Sequence, residues 1–261
     1  MQNKLILNKR ISILGCGWLG INLAHALLRK GYIINGSTTS VNNISNLESK
    51  GITPYVVDIG NLNNNIFHFL SSAILIIAIT SKNIEDFKNL ISKIKESEIR
   101  KVLFISSTSV YSNTNGIVTE ETNTNDSQLS NIEKLFETNS SFESTIIRFG
   151  GLFGYDRKPG NFISRSKEVD NPEGYINFIH RDDCIRIIEL IIVRNTWNEV
   201  LNACSDSHPT RREFYLKEAK KLGITTIKFN EKSENSYKII SSQNLKSLLD
   251  YDFKYADLMD Y

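Results

Sequence analysis

The ten residues ISILGCGWLG, at positions 11–20, decide the fold of this chain. The apolar run Ile11–Leu14 is typical of a buried strand, and three glycines follow it at the spacing GxGxxG. After Gly20 the residues INLAHALL carry apolar side chains at helical spacing. A glycine loop between a strand and a helix predicts the first turn of a βαβ unit.

Each glycine of this loop has its own physical task. Gly15 permits the tight turn that ends the strand, Gly17 leaves room for a pyrophosphate, and Gly20 lets the helix pack close to the sheet. The helix N-terminus adds unpaired N–H groups and a positive dipole end. The loop therefore predicts a bound dinucleotide, and a tight turn without a ligand is the alternative. The predicted cofactor loop consists of Gly15, Cys16, Gly17, Trp18, Leu19 and Gly20.

The composition is typical of a globular protein without a strong charge bias. Hydrophobic residues make up 40% and charged residues 23% of the 261 residues, and the formal net charge is +2. Basic residues form no block, which argues against a nucleic-acid partner. Cys16, Cys184 and Cys204 are widely spaced, which favours a reducing compartment and argues against a metal site. The start MQNKLILNKR lacks the apolar core of a signal peptide, and no apolar run is long enough to span a membrane. We therefore expect a soluble, cytoplasmic protein.

Apolar runs alternate with helical patterns through the first 150 residues. The run Ile74–Ile79 is apolar at successive positions, as in a parallel strand that is covered on both faces. This alternation predicts an α/β fold with a doubly wound parallel sheet, the NAD(P)-binding Rossmann fold. The predicted strands are Ile11–Leu14, Tyr32–Ser37, Pro54–Asp58, Ala73–Ile79, Val102–Ser106 and Ser144–Phe149. The predicted helices lie near residues 18–30, 42–50, 83–98 and 128–139.

The pattern changes after Phe149. Residues 150–160 are rich in glycine and are predicted to be irregular. The elements predicted beyond them are a helix over 181–194, a strand over Glu199–Ala203, a helix over 210–222 with Thr210 and Glu213 as a capping box, and a short helix near 244–249. We expect a dinucleotide-binding domain over residues 1–150, with 179–205 returning to it, and a small C-terminal substrate cap over 151–178 and 206–261.

The end of the second predicted strand bears on the choice of dinucleotide. NAD sites usually place a carboxylate there to bind the ribose 2′-hydroxyl, but this chain has no acidic residue in that loop before Glu48. Ser37, Thr38 and Thr39 offer hydroxyl groups instead, which favours NADP; the loop has no arginine, so NAD stays open. Further cofactor contacts are predicted for Ala78, at the end of the fourth strand, and for Asp58, whose alternative role is a loop cap.

Five motifs together resemble those of the extended short-chain dehydrogenase/reductases. More narrowly, the chain is similar to an atypical bacterial GCGWLG subgroup related to the NAD(P)-dependent nucleotide-sugar epimerases and dehydratases. The resemblance extends along nearly the whole chain and implies a small or nucleotide-linked, sugar-like substrate. The motifs are GCGWLG at 15–20, SSTSVY at 106–111, RFGGLFGYDRKPGNF at 148–162, INFIHRDD at 176–183 and NACSDSHPTRREFY at 202–215.

In that family a Ser or Thr hydrogen-bonds the substrate oxygen, and a Tyr-x-x-x-Lys pair moves the proton. The resemblance places the serine at Ser107, but no tyrosine of this chain is followed four residues later by lysine. Leu129 and Glu133 stand at the two positions of the pair, so the usual acid–base groups are absent. Tyr111 and His180 are the candidate replacements, and packed structural roles are their alternatives.

Two arginines are the candidate substrate-binding cations. Arg157 follows a glycine-rich turn, where an exposed guanidinium can bind a phosphate or carboxylate through two parallel hydrogen bonds. Arg148 ends a predicted strand, and a buried ion pair is its alternative role. Two functions stay open, an oxidoreductase or epimerase with altered catalytic residues and a non-catalytic redox sensor or interaction protein that binds a dinucleotide. Neither the substrate nor the oligomeric state follows from the sequence.

Overall fold

The computed structural model describes residues 9–161 and 168–261 of the chain. Residues 1–8, on which the expected absence of a signal peptide depends, and residues 162–167 of the expected cap lie outside the described residues.

Strands and helices alternate as the sequence predicts. The strands are β1 (Arg10–Leu14), β2 (Ile33–Thr38), β3 (Thr53–Val56), β4 (Ile74–Ile77), β5 (Lys101–Ser107), β6 (Ile117–Val118), β7 (Glu143–Phe149), β8 (Gly151–Phe153), β9 (Val169–Asp170), β10 (Phe178–His180), β11 (Val200–Ala203), β12 (Phe229–Asn230) and β13 (Ile239–Ile240). The α-helices are α1 (Trp18–Arg29), α2 (Ile44–Glu48), α3 (Ile66–Phe69), α4 (Ile84–Lys95), α5 (Gln128–Glu137), α6 (Arg181–Arg194), α7 (Arg211–Lys221) and α8 (Gln243–Leu249).

Seven of the described strands form one sheet in the order β3-β2-β1-β4-β5-β7-β11. Strand β1 runs parallel to both of its neighbours, with Ile11 paired to Ile34 on one side and to Ile74 on the other. This is the doubly wound order of a Rossmann fold, so the predicted fold class is confirmed. The chain order reverses between β1 and β4, and sheets of this kind bind ligands at that point, beyond the carboxyl ends of the strands.

The chain divides into two compact units. Of the described residues, unit 1 contains those up to Ser106, together with Asp126–Ile147 and Ile191–Val200. Unit 2 contains Ser107–Asn125, Arg148–Leu190 and Leu201–Tyr261. The functional division into a cofactor domain and a substrate cap stays a prediction.

Three phenylalanines hold two helices of unit 1 against its sheet. Phe87 on α4 packs edge-on against Phe104 on β5 and Phe136 on α5, at ring-centroid distances of 5.7 and 6.1 Å. Phe104 and Phe136 stack at 4.9 Å. Aromatic pairs contribute about 0.5–1.5 kcal/mol each beyond the burial of their area. The cluster therefore stabilises the packing of α4 and α5 against β5.

Unit 2 has an aromatic core of its own. Phe178 on β10 packs against Phe214 on α7 at 5.6 Å and against Phe153 on β8 at 6.2 Å. Helix α7 begins after Thr210, whose side chain accepts a hydrogen bond from the Glu213 N–H, so the predicted capping box is confirmed.

The prediction that residues 150–160 are irregular is wrong for their first part. Gly151–Phe153 form β8, which pairs in parallel with β10. A Cβ at Gly151 would lie 2.3 Å from the ring of Phe178. Glycine is used here because the phenylalanine ring covers the strand, a tertiary reason that the local sequence does not reveal.

Candidate functional site

A cleft of about 610 Å³ lies in unit 1, where the chain order of the sheet reverses. Its wall comes from the loops that follow the first four strands and from the start of α4. The lining residues are Leu14, Gly15, Cys16, Gly17, Ser37, Thr38, Thr39, Asn43, Val57, Asp58, Ile59, Ala78, Ile79, Thr80, Ser81 and Asp86. The cleft is therefore at the place where a Rossmann sheet binds its ligand.

Two glycines of the loop are required by the packing of the protein itself. Gly15 has φ +99°, and a Cβ there would lie 2.6 Å from the Ala78 carbonyl oxygen. A Cβ at Gly20 would lie 2.1 Å from the carbonyl oxygen of Gly15. These contacts hold α1 close to β1 and β4, so any side chain at either position would displace the backbone.

Gly17 differs from both. Its φ of −83° suits any residue, and within the described part of the chain no heavy atom lies within 4 Å of a Cβ built there. Gly17 lines the cleft and is the N-cap of α1. The open space over Gly17 is therefore the space that a pyrophosphate needs next to a helix N-terminus, and the glycine loop fits a dinucleotide.

The end of β2 presents neutral hydrogen-bonding groups to the cleft. Ser37 is buried, and its Oγ accepts a hydrogen bond from the Gly15 N–H at 2.9 Å, which fastens the glycine loop to β2. Thr38 Oγ1 accepts from the Ser40 N–H at 3.2 Å, and Thr39 is exposed. All three predicted hydroxyl residues line the cleft.

Two carboxylates line the cleft as well. Asp58 follows β3, and its Oδ1 accepts a hydrogen bond from the Gly60 N–H at 2.9 Å. It therefore has the loop-cap role that the sequence left open and also faces the cleft. Asp86, in the first turn of α4, is the second carboxylate, and the sequence analysis missed it.

The predicted cofactor residues divide between the wall of the cleft and the helix behind it. The predicted residues in the wall are Gly15, Cys16, Gly17, Ser37, Thr38, Thr39, Asp58 and Ala78. Trp18, Leu19 and Gly20 form the first turn of α1 instead. Cys16 is buried, and burial raises the pKa of its thiol to about 12, so the thiol stays protonated.

The sequence analysis also missed Asn43, Thr80 and Ser81 in the wall of the cleft. Thr80 and Ser81 lie three and four residues beyond the end of β4 at Ile77, so the carboxyl end of that strand was the available signal. Asn43 ends a short 3-10 turn over Val41–Asn43, and no motif marks it.

Ser107, the candidate catalytic serine, is the last residue of β5. Its Oγ accepts a hydrogen bond from the Ser109 N–H at 3.1 Å and caps the short turn Thr108–Val110. Ser107 is half-buried as a residue.

Tyr111 and Arg148 are brought together in unit 2. The Tyr111 hydroxyl donates to Asn202 Oδ1 at 3.0 Å and accepts from Arg148 Nη1 at 2.6 Å, while the Arg148 guanidinium also lies 5.0 Å from the Tyr111 ring. Both residues are buried, at 2% and 5% exposure. Burial raises the pKa of Tyr111, and this effect outweighs that of the nearby Arg148 charge, which lowers it. This geometry favours structural roles for both side chains.

His180 belongs to a different cluster of unit 2. Its ring is fully buried and lies 3.7 Å from the Tyr255 ring and 5.2 Å from those of Phe153 and Tyr155. Nδ1 accepts a hydrogen bond from the Asp182 N–H at 3.1 Å, and Nε2 has no partner among the described residues. Burial lowers the pKa of His180 to about 4, so the imidazole is neutral near pH 7.

Arg157 lies in a tight turn that is closed by two backbone hydrogen bonds with Gly154, and its side chain is exposed. The turn includes Tyr155 at φ +34°, a conformation that side chains rarely adopt. The Tyr155 hydroxyl donates to Asp182 Oδ2 at 2.8 Å, which holds this strained residue in place.

Helix α5 has no tyrosine or lysine at the two positions that the resemblance assigns to the proton-transfer pair. Leu129 packs against the hydrophobic core of unit 1, and Glu133 is 2% exposed. The lysine nearest to these positions on α5, Lys134, is exposed.

Comparisons with known proteins support the fold. No family model matches the chain. Protein YeeZ of Escherichia coli K12 is 27% identical over 267 residues, which cover 95% of this chain and 97% of YeeZ. A conserved protein of unknown function from Silicibacter pomeroyi DSS superposes with a TM-score of 0.82 at 17% identity, covering 96% of this chain and 95% of that one. UDP-glucuronic acid 4-epimerase from Bacillus cereus, in complex with UDP-glucuronic acid and NAD, superposes with a TM-score of 0.78 at 19% identity, covering 96% of each chain.

These likenesses show a Rossmann fold that other proteins use to bind NAD. No helix among the described residues is long and apolar enough to cross a membrane.

Proposed function

We propose that the cleft of unit 1 binds a nicotinamide dinucleotide and that the chain is an NAD(P)-dependent oxidoreductase or epimerase. The observation that carries this proposal is the open space over Gly17, between two glycines that the packing itself requires. A bound dinucleotide supplies reversible hydride transfer. The chain supplies the backbone N–H groups of the α1 N-terminus for the pyrophosphate and polar groups for the ribose.

NADP is the proposed form of the cofactor. The last two residues of β2, Ser37 and Thr38, and the next residue, Thr39, line the cleft and are offered to the ribose, and no carboxylate stands among them to repel a 2′-phosphate. Hydrogen bonds from neutral donors to an ionised phosphate are shorter and stronger than those to a hydroxyl group.

The proposed substrate is a small or nucleotide-linked polar molecule of the sugar type. Its assignment rests on the motif resemblance and on Arg157, an exposed arginine in a tight turn. The proposed substrate cap consists of residues 151–178 and 206–261. Ser107 is the proposed donor to the reacting oxygen, because Ser107 is a half-buried residue, whereas Tyr111 is buried and its hydroxyl is hydrogen-bonded to both Arg148 and Asn202.

A non-catalytic redox sensor is the second candidate function. The observation in its favour is the replacement of the proton-transfer pair by Leu129, which is partly buried and packs against the core, and Glu133, which is buried. A protein of this kind keeps the dinucleotide cleft and turns over no substrate.

Titration calorimetry with NADPH, NADP⁺, NADH and NAD⁺ tests the binding proposal. Wild-type protein is expected to bind at least one of them, and Gly17→Val is expected to weaken that affinity by at least about tenfold, or 1.4 kcal/mol. Gly116→Val is the control, because a Cβ at Gly116 makes only an ordinary van der Waals contact, 3.9 Å from the Thr114 carbonyl oxygen, and Gly116 lies outside the wall of the cleft. Failure of all four dinucleotides to bind the wild type contradicts the proposal.

The two candidate functions are separated by incubating the protein with UDP-glucuronic acid and a dinucleotide. Turnover that is lost in Ser107→Ala supports the enzyme. Tight dinucleotide binding without turnover across a panel of sugar nucleotides supports the sensor.

A further inference from the structure

The loop after β2 carries one cleft residue that the cofactor motifs do not include. Asn43 lines the cleft together with Thr38 and Thr39. The charged residues in the described wall are Asp58 and Asp86, which follow β3 and begin α4. The choice between NAD and NADP at the ribose 2′-position therefore depends on uncharged side chains.

The backbone folds Asn43 back toward the end of β2. The Ser40 N–H donates to Thr38 Oγ1 at 3.2 Å, and the Asn43 N–H donates to the Ser40 carbonyl oxygen at 3.1 Å. These bonds close a single turn over Val41–Asn43 with Ser40 as its N-cap. The side chain of Asn43 is thereby presented from a fixed turn.

The orientation of the Asn43 amide is set by the next helix. Asn46, on α2, donates from Nδ2 to Asn43 Oδ1 at 2.9 Å. This bond directs the Asn43 carbonyl oxygen toward α2 and uses one of its two lone pairs. The group that Asn43 retains for a ligand is the –NH₂ donor, which matches a phosphate, because phosphate oxygens only accept hydrogen bonds at full ionisation.

We propose that Asn43 determines the preference for a 2′-phosphorylated dinucleotide by donating its amide N–H to the 2′-phosphate. This inference rests on the proposed dinucleotide function and adds the residue that selects between its two forms. The loop then selects the 2′-phosphate without an arginine. The hydrogen bond from Asn46 orients the Asn43 amide, and the neighbouring side chains are hydroxyl groups.

The decisive measurement is the dissociation constant of NADPH and of NADH for three charge-matched variants. Asn43→Asp replaces the donor by a carboxylate and is expected to weaken NADPH binding by at least about tenfold while NADH binding changes less than about threefold. Asn42→Asp adds the same charge one residue away, outside the wall of the cleft, and is expected to change both constants by less than about threefold.

Asn46→Asp tests the orientation of the amide. A carboxylate at this position accepts from the Asn43 –NH₂ group and turns Asn43 Oδ1 toward the cleft. The ratio of NADPH to NADH affinity is expected to fall by about fivefold or more relative to Asn42→Asp, which carries the same added charge.

The outcomes separate the inference from the proposed function. If neither dinucleotide binds the wild type, the proposed function is wrong and the inference falls with it. If both bind and the affinity ratio in Asn43→Asp and Asn46→Asp equals that in Asn42→Asp, Asn43 does not select the cofactor and only the inference is overturned. A wild-type preference for NADH likewise overturns it.

Discussion

His180 is expected to make the folded protein progressively less stable as the pH falls from about 6.5 to about 4. Its ring is fully buried, and burial lowers its pKa from 6.5 to about 4. Between these two values the unfolded chain binds a proton that the folded protein excludes, so the stability decreases as the pH falls. The difference of about 2.5 pH units corresponds to a loss of about 3 kcal/mol, and below pH 4 no further loss arises from this group.

The assay compares the free energy of unfolding of the wild type with that of His180→Asn in urea, at several pH values from 7 to 4. Asparagine retains an acceptor for the Asp182 N–H but does not titrate. The variant is expected to be the less stable protein at pH 7, because it loses the ring contacts with Tyr255 and Phe153. The difference between the two proteins is expected to shrink by about 2–3 kcal/mol on acidification, because other titrating groups are common to both.

His68→Asn is the control, since His68 is exposed in unit 1. The difference in free energy of unfolding between His68→Asn and the wild type is expected to vary by less than about 0.5 kcal/mol over the same pH range. A difference between wild type and His180→Asn that stays constant from pH 7 to pH 4 refutes the reasoning.

Three further substitutions have defined outcomes. With a substrate in hand, Ser107→Ala is expected to lower kcat by about tenfold to a thousandfold, as for the loss of one oxyanion donor, and an unchanged kcat contradicts the role of Ser107. Leu129→Ala is expected to lower the free energy of unfolding by about 2 kcal/mol, because its side chain packs against the core, while dinucleotide affinity measured by calorimetry stays within about threefold. Thr210→Ala removes a capping box and is expected to lower the free energy of unfolding, measured by thermal denaturation, by about 1 kcal/mol. An unchanged free energy of unfolding is evidence against the cap.

The strand pattern was predictable because buried parallel strands read as continuous apolar runs. Ile74–Ile77 is the clearest case, with four buried residues in succession. The end of β2 was placed one residue early, since residues 35–38 (NGST) include no apolar side chain that would mark where the strand ends. Strand β8 was missed because glycine is rare in strands, and the ring of Phe178 that explains Gly151 comes from a distant segment.

The cleft was predictable only where a motif or a strand end marks it. The glycine loop and the hydroxyls after β2 were found from local spacing. Asn43 and Asp86 reach the cleft from a short turn and from a helix start, so their positions depend on how distant segments pack. The enclosure of Tyr111 by Arg148 and Asn202 depends in the same way on residues far apart in the chain.

The contrast among the glycines of the loop has an evolutionary consequence. Substitutions at Gly15 or Gly20 are opposed by folding itself, so these glycines persist in a descendant whether or not it binds a ligand. Position 17 is under no such constraint, and as the N-cap of α1 it gains stability from serine, aspartate or asparagine, which cap helices better than glycine. A lineage that abandons the dinucleotide therefore drifts away from glycine at position 17 first.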